Sequence, residues 1–135
     1  YSGSPLTYDN GQWVESASEM SLDEMDAVYI NSDKPQEIEL DRDTGVQNTP
    51  QDEVLETGWN LVGPSLNVEG ESELNANIDV AFNGADIGDD DSKGITNVVS
   101  PLGNWDQKKA EGFGSQQVEA FRGYWVFSKS QEVIS

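Results

Sequence analysis

Turn-forming residues recur along the whole chain at intervals of 8 to 15 positions, and this spacing is the strongest constraint on its fold. The apolar segments between the turns are short and rich in β-branched and aromatic residues, as strands are. The turn signals include Asp9-Asn10-Gly11, Asp33-Lys34-Pro35, Asp43-Thr44-Gly45, Gly63-Pro64, Asn83-Gly84 and Gly103-Asn104. The predicted strands are 13–14, 27–31, 37–40, 59–62, 95–99, 123–128 and 132–134. This pattern predicts a mainly β fold, a small β-sandwich or barrel, with one or two short helical turns.

The segment 74–82 fits two kinds of structure. Its apolar residues occupy every second position, which indicates a strand with one buried face. Ile78 and Ala81 also belong to a stripe with helical spacing. The strict alternation favours the strand. Short helical turns are predicted at 21–24, which has capping-box spacing, and at 115–121.

The two ends of the chain resemble each other. Ser4-Pro5-Leu6 recurs as Ser100-Pro101-Leu102, and the segment 25–30 corresponds to 121–126, both at an offset of 96. A Trp lies between the two matches in each copy, and a Gln-Glu-aliphatic triplet follows both strands. Four matches in the same order predict an internal repeat. We therefore treat 1–135 as a single β-rich domain with pseudo-repeat units at about 1–45 and 55–135 and an acidic insert at about 69–94.

A second strand motif, Gly58-Trp59-Asn60-Leu61-Val62-Gly63, lies between the two copies. If each unit starts with such a Gly-Trp strand, the first copy of that strand is expected upstream of Tyr1. The alternative is that the second unit closes its sheet by itself. In Tyr124-Trp125-Val126-Phe127 both faces are apolar, which predicts a strand buried on both sides. Trp59 and Trp125 are accordingly predicted to be core residues.

The Gly-Trp motif at 58–63, followed some 60 residues later by Phe121-Arg122-Gly123-Tyr124-Trp125-Val126-Phe127, resembles the repeated β-rich modules of haloarchaeal and other archaeal cell-surface and secreted proteins. In those modules, strands of the types GWNLVG and GYWVY alternate along the chain. The resemblance covers roughly residues 5 to 135 if the duplication is accepted. It implies an exported, envelope-associated location and a structural or adhesive role, and it carries over no catalytic residues. Ala27-Val28 departs from the pattern, which has Gly and an aromatic residue there.

The chain carries 26 acidic and 7 basic residues, which gives a formal net charge of −19, and it contains no His and no Cys. Sites that need imidazole or thiolate groups are therefore excluded, and we expect no enzymatic activity. The negative charge repels nucleic-acid phosphates, so nucleic acid is not an expected partner. Acidity spread along the whole chain is typical of proteins adapted to concentrated salt, where the Debye length falls to about 3 Å. We expect a halophilic source.

These features predict an extracellular or cell-surface protein whose partners are neighbouring surface subunits. Two alternatives remain open, a glycan-binding module and a virion component of a halophilic virus, such as a spike, turret or fibre domain. No apolar run approaches the roughly 18 residues of a membrane span, so direct membrane insertion by this segment is not expected.

Two groups of residues are candidates for binding. Asp86, Asp89, Asp90 and Asp91 place four carboxylates on a Gly-flanked loop, and oxygen ligands suit Ca²⁺ or another hydrated cation, although a solvated acidic loop is the simpler interpretation. No cofactor is expected to be required. Trp13 and Trp105 lie beside turns and are candidates for stacking against the rings of a glycan.

Overall fold

A computed structural model describes residues 5–9, 11–15, 22, 25–31, 52–64, 75–87, 93–100, 107–119 and 122–134. The fold is mainly β, with short helical turns, and this part of the sequence prediction is confirmed. The strands are β1 (Leu6–Asp9), β2 (Gln12–Glu15), β3 (Glu53–Leu55), β4 (Gly58–Val62), β5 (Asn75–Asn77), β6 (Ile95–Val99), β7 (Gln107–Lys109), β8 (Gln117–Glu119), β9 (Tyr124–Ser128) and β10 (Glu132–Ile134). The helical elements are α1 (Ile78–Ala81) and a 3₁₀ turn (Ala110–Gly112).

The largest sheet has four antiparallel strands in the order β4-β9-β6-β7. Strand β9 lies between β4 and β6, but only one of its two apolar faces is fully buried, so the prediction of burial on both sides, with Trp125 in the core, holds for one face alone. Its side chains alternate in burial: Tyr124, Val126 and Ser128 are buried, and the two aromatic residues between them are half-buried. A β-bulge in β6 shifts the register between Ile95 and Asn97.

Three smaller antiparallel pairs complete the described strands. In the hairpin β1-β2, Asp9 pairs with Gln12, and Gly11 of the turn predicted from sequence lies just before β2. Gly11 has φ +77° in that turn, a conformation that glycine adopts without strain. The other pairs are β10-β3 and β5-β8.

One hydrophobic core joins the four-stranded sheet to the pairs β10-β3 and β5-β8. It is formed on the side of the four-stranded sheet where Val62, Val98 and Val126 point, and α1 adds Ile78 to it. The core residues are Met25, Leu55, Val62, Ile78, Ala81, Phe82, Ile95, Val98, Phe113, Val118, Tyr124, Val126 and Ile134.

Three local predictions are wrong. The segment 74–82 was expected to be one strand, but its described part is the short strand β5 followed by the helical turn α1. The helical turn expected at 115–121 is replaced by β8, which pairs with β5. The segment expected to be a strand at 27–31 forms, among the described residues, a single isolated bridge from Tyr29 to Leu6, and Asp26 just before it bridges to Val62.

Strands β4, β6, β9 and β10 confirm the predictions at 59–62, 95–99, 123–128 and 132–134 to within one residue. The predicted strand 37–40 lies outside the described residues, as does all of the predicted helical turn 21–24 except Leu22. The division into repeat units stays a prediction.

Candidate contact surface

Only one of the four predicted cation ligands can be placed. Asp86 is exposed, whereas Asp89, Asp90 and Asp91 lie outside the described residues. Within the described part of the chain, no group of three or more acidic side chains is placed to hold a metal ion. The cation site therefore stays a prediction.

The backbone groups at the two ends of this acidic loop form hydrogen bonds with both backbone and side-chain partners. Asp86 accepts a hydrogen bond from the Ile95 N–H at 2.8 Å and donates its own N–H to Glu132 Oε2 at 3.2 Å. Gly94 donates its N–H to Ser130 Oγ at 3.0 Å, and that hydroxyl in turn donates to the Glu132 carboxylate. Ser130 and Glu132, just before and at the start of β10, thus bind the described residues at both ends of the loop.

Trp13 has the exposure expected of a contact residue, since 50% of its surface is accessible. Trp105, its predicted companion, lies outside the described residues. The core assignment of Trp59 is wrong, because this side chain is 43% exposed on the face of β4 that points away from the core. Trp125 is half-buried, on the same face of the sheet.

Aromatic rings cover this outer face of the central sheet and the hairpin beside it. Trp13 lies at the centre of the group, with its ring centroid 5.3 Å from Tyr8, 6.0 Å from Tyr29 and 5.6 Å from Trp125. All of these pairs meet edge to face, the geometry that the charge distribution of aromatic rings favours. We call this group, with the neighbouring pair in the next paragraph, the aromatic face. Its members are Tyr8, Trp13, Tyr29, Trp59, Trp125 and Phe127.

The second part of the aromatic face is the cross-strand pair of Trp59 and Phe127, with ring centroids 5.1 Å apart. Phe127 and Trp125 are two positions apart on β9 and therefore share one side of the sheet. The two ring groups thus lie side by side. Tyr29 is 41% exposed. Together with Trp13 and Trp59, it makes three of the six rings that present a large accessible surface.

A shallow cleft of about 240 Å³ lies between the hairpin and the start of β4. Tyr8 and Trp59 from the aromatic face line it together with Glu56, Thr57 and Asn60. Asn60 is fixed by two hydrogen bonds of 2.9 Å to the backbone of Glu56, one accepted by its carbonyl and one donated by its amide. The cleft therefore combines two rings with a carboxylate, a hydroxyl and a rigid side-chain amide.

Tyr8 and Tyr29 belong to this surface but were not among the residues predicted from sequence to lie on it. The predicted internal repeat contains the relevant signal, because it aligns Tyr29 with Trp125 at the offset of 96. In the fold, the rings of both residues contact Trp13.

Comparison with protein-family models, with curated protein sequences and with solved structures finds no match to this chain. Within the described residues, no helix has the length and hydropathy of a membrane-spanning segment.

Proposed function

We propose that this chain is a salt-adapted structural or adhesive module of a haloarchaeal surface or secreted protein, and that it acts outside the cell. The observation that carries the proposal is the aromatic face, a group of six rings of which Trp13, Tyr29 and Trp59 are each more than 40% exposed. Contiguous apolar surface on a chain with net charge −19 is a feature of interaction sites.

The charge distribution supports a protein that works in brine. Every Asp and Glu with a described side chain is exposed or half-buried, so these carboxylates are hydrated. In concentrated salt their mutual repulsion is screened within about 3 Å. Contacts that depend on charge weaken under the same conditions, whereas burial of apolar surface does not. An aromatic contact surface is therefore the kind of adhesive surface that functions in molar salt.

We test the adhesive role by binding of the purified chain to cell envelopes of a halophilic archaeon in about 3 M NaCl, where charge contacts are screened. Trp13→Ala removes the ring at the centre of the aromatic face and is expected to weaken binding at least about tenfold, as truncation of an interface aromatic does. Val80→Ala is the control, because Val80 is 64% exposed on α1, outside the aromatic face. Equal binding by both variants would contradict the proposal.

The proposed location has its own test. An antibody against the chain should label intact cells kept in isotonic brine, or virions if the gene neighbourhood is viral. Signal only after lysis would contradict an extracellular role, whatever the binding assay shows.

A second candidate function, binding of glycans, is favoured by the cleft beside Trp59. Rings that offer apolar contact to a sugar lie there beside the carboxylate of Glu56 and the hydroxyl of Thr57, which can exchange hydrogen bonds with sugar hydroxyls. A glycan array in high salt tests this candidate, with Trp59→Ala as the variant of the cleft and Trp13→Ala and Trp105→Ala as variants of the other candidate rings. Absence of salt-stable binding by the unmodified chain would rule it out.

A further inference from the structure

Among the residues that the structure describes, the segment 25–31 has one paired edge and one open edge. Tyr29 donates its N–H to Leu6 O at 2.7 Å and accepts from Leu6 N–H at 2.9 Å, and Met25 O accepts from Gly63 N–H at 2.7 Å. Backbone groups of successive residues in an extended strand point to opposite sides. Those of Val28 and Ile30 therefore point away from Leu6, and within the described residues no hydrogen bond reaches them.

The equivalent edge in the second half of the chain is occupied. Val28 and Ile30 correspond to Tyr124 and Val126 at the offset of 96. Lys129, just after β9, donates its N–H to Gly94 O on the β6 side at 3.0 Å. By alternation, the backbone groups of Tyr124 and Val126 point to β4.

The side chain of Asn60 in β4 agrees with this direction, because its amide lies 3.4 Å from Val126 O. The edge that β4 covers in one half of the chain is thus the edge that no other described strand covers in the other half.

Side-chain burial shows the same difference between the two halves. Tyr124 and Val126 are 3% and 0% exposed, whereas the apolar side chains of Val28 and Ile30 are only half-buried. A strand that lies at the margin of a sheet leaves part of its apolar face accessible.

We propose that the open edge of Val28 and Ile30 accepts a strand of the Gly-Trp-Asn-Leu-Val type, supplied by a neighbouring unit of the same kind. The strand would pair antiparallel to 25–31, as β4 pairs with β9, and would extend the sheet by β-augmentation, the addition of a strand to a sheet edge. Leu61 of β4 lies opposite Trp125, so the leucine of the incoming strand lies opposite Tyr29, which is 41% exposed. The incoming strand carries no charge, so it meets no like-charge repulsion from this acidic chain.

The test is residue-resolved hydrogen exchange in molar NaCl, with a synthetic peptide of sequence 58–64, which has no charged side chain, as the probe. The amides of Val28 and Ile30 are expected to exchange freely in the chain alone and to slow at least about tenfold with saturating peptide. The Tyr29 amide is already bonded to Leu6 and serves as the internal control, with unchanged protection. A peptide of the same composition in scrambled order should leave all three amides unchanged.

Val28→Pro tests the same edge independently. It removes an N–H that bonds nothing in the described structure, so the near-UV circular dichroism should be unchanged, and peptide affinity should fall at least about tenfold. Val80→Ala is the control variant and should bind as the unmodified chain does.

Three results would overturn the proposal: no slowing of exchange by the peptide, slowing confined to other strand edges, or protection of Val28 and Ile30 in the chain alone that does not depend on protein concentration. These exchange measurements do not depend on cellular location. The strand-addition proposal can therefore fail while the proposed surface role stands, and the surface role can fail while strand addition is observed.

Discussion

Gly94 is the position where the fold depends most directly on the absence of a side chain. Its φ is +82°, and a Cβ placed there would lie 2.2 Å from the backbone oxygen of Asp86. Gly94→Ala therefore introduces two penalties, left-handed backbone strain and a collision with backbone atoms that cannot rotate away. Gly11 offers a matched control, because its φ is +77° and a Cβ there meets nothing within 4 Å.

The expected sizes follow from these contacts. Strain in the left-handed region is about 1 to 2 kcal/mol for a residue with a Cβ, and Gly11→Ala should lose about 1 kcal/mol after the lower entropy of its unfolded chain is counted. In Gly94→Ala the Asp86 oxygen must also move, which disrupts its 2.8 Å bond to Ile95 and the 3.0 Å bond from Gly94 to Ser130. With about 1 kcal/mol for each bond, the total loss is about 3 kcal/mol.

Urea unfolding at a fixed molar NaCl concentration, followed by Trp fluorescence, measures both losses. We expect Gly94→Ala to lower the free energy of unfolding by about 2 kcal/mol more than Gly11→Ala does. Losses that agree within about 0.5 kcal/mol would refute the collision and the role of Asp86 and Ser130 in holding this loop.

Two further predictions use the same assay. Tyr124→Phe removes the hydroxyl that accepts the Glu119 N–H at 2.8 Å and should lose about 1 kcal/mol, whereas Tyr29→Phe, at an exposed ring, should change stability by less than about 0.5 kcal/mol. Asn60→Ala removes both side-chain bonds to the Glu56 backbone and should lose about 1 to 2 kcal/mol, whereas Asn83→Ala, at an exposed position, should again lose less than about 0.5 kcal/mol. Equal losses within either pair would contradict the assigned hydrogen bonds.

Strands with a strong local pattern were predictable from the sequence. The prediction at 95–99 matches β6, and the aromatic strand β9 differs by one residue at its start. Both strands are rich in β-branched or aromatic residues, and both lie inside the central sheet, so local preference and tertiary environment agree there.

Elements defined by their partners were not predictable. Gln107–Lys109 has no strand pattern and is extended because Lys108 pairs with Val98 at the edge of the sheet. Gln117–Glu119 is a strand because it pairs with β5, although its sequence permits a helical turn. In both cases pairing across the fold outweighs local propensity.

The contact surface was predictable only in part. The position of Trp13 beside a turn correctly indicated exposure, whereas Trp59 was assigned to the core because it is aromatic and lies in a strand motif. The face of a strand that becomes the core depends on which side the other sheets cover. The residues that pack against the buried face include Phe82, Phe113 and Ile134, which lie elsewhere in the sequence.

The central claim, a module adapted to brine, is tested most directly by the dependence of folding on salt concentration. Near-UV circular dichroism and Trp fluorescence would be followed from about 4 M NaCl down to about 0.1 M, where the Debye length grows from less than 3 Å to about 10 Å. We expect stability to fall steadily as salt is removed. Glu15→Gln combined with Glu111→Gln, at two exposed positions, should lower the salt concentration that folding requires. A free energy of unfolding that stays constant down to 0.1 M would contradict the account.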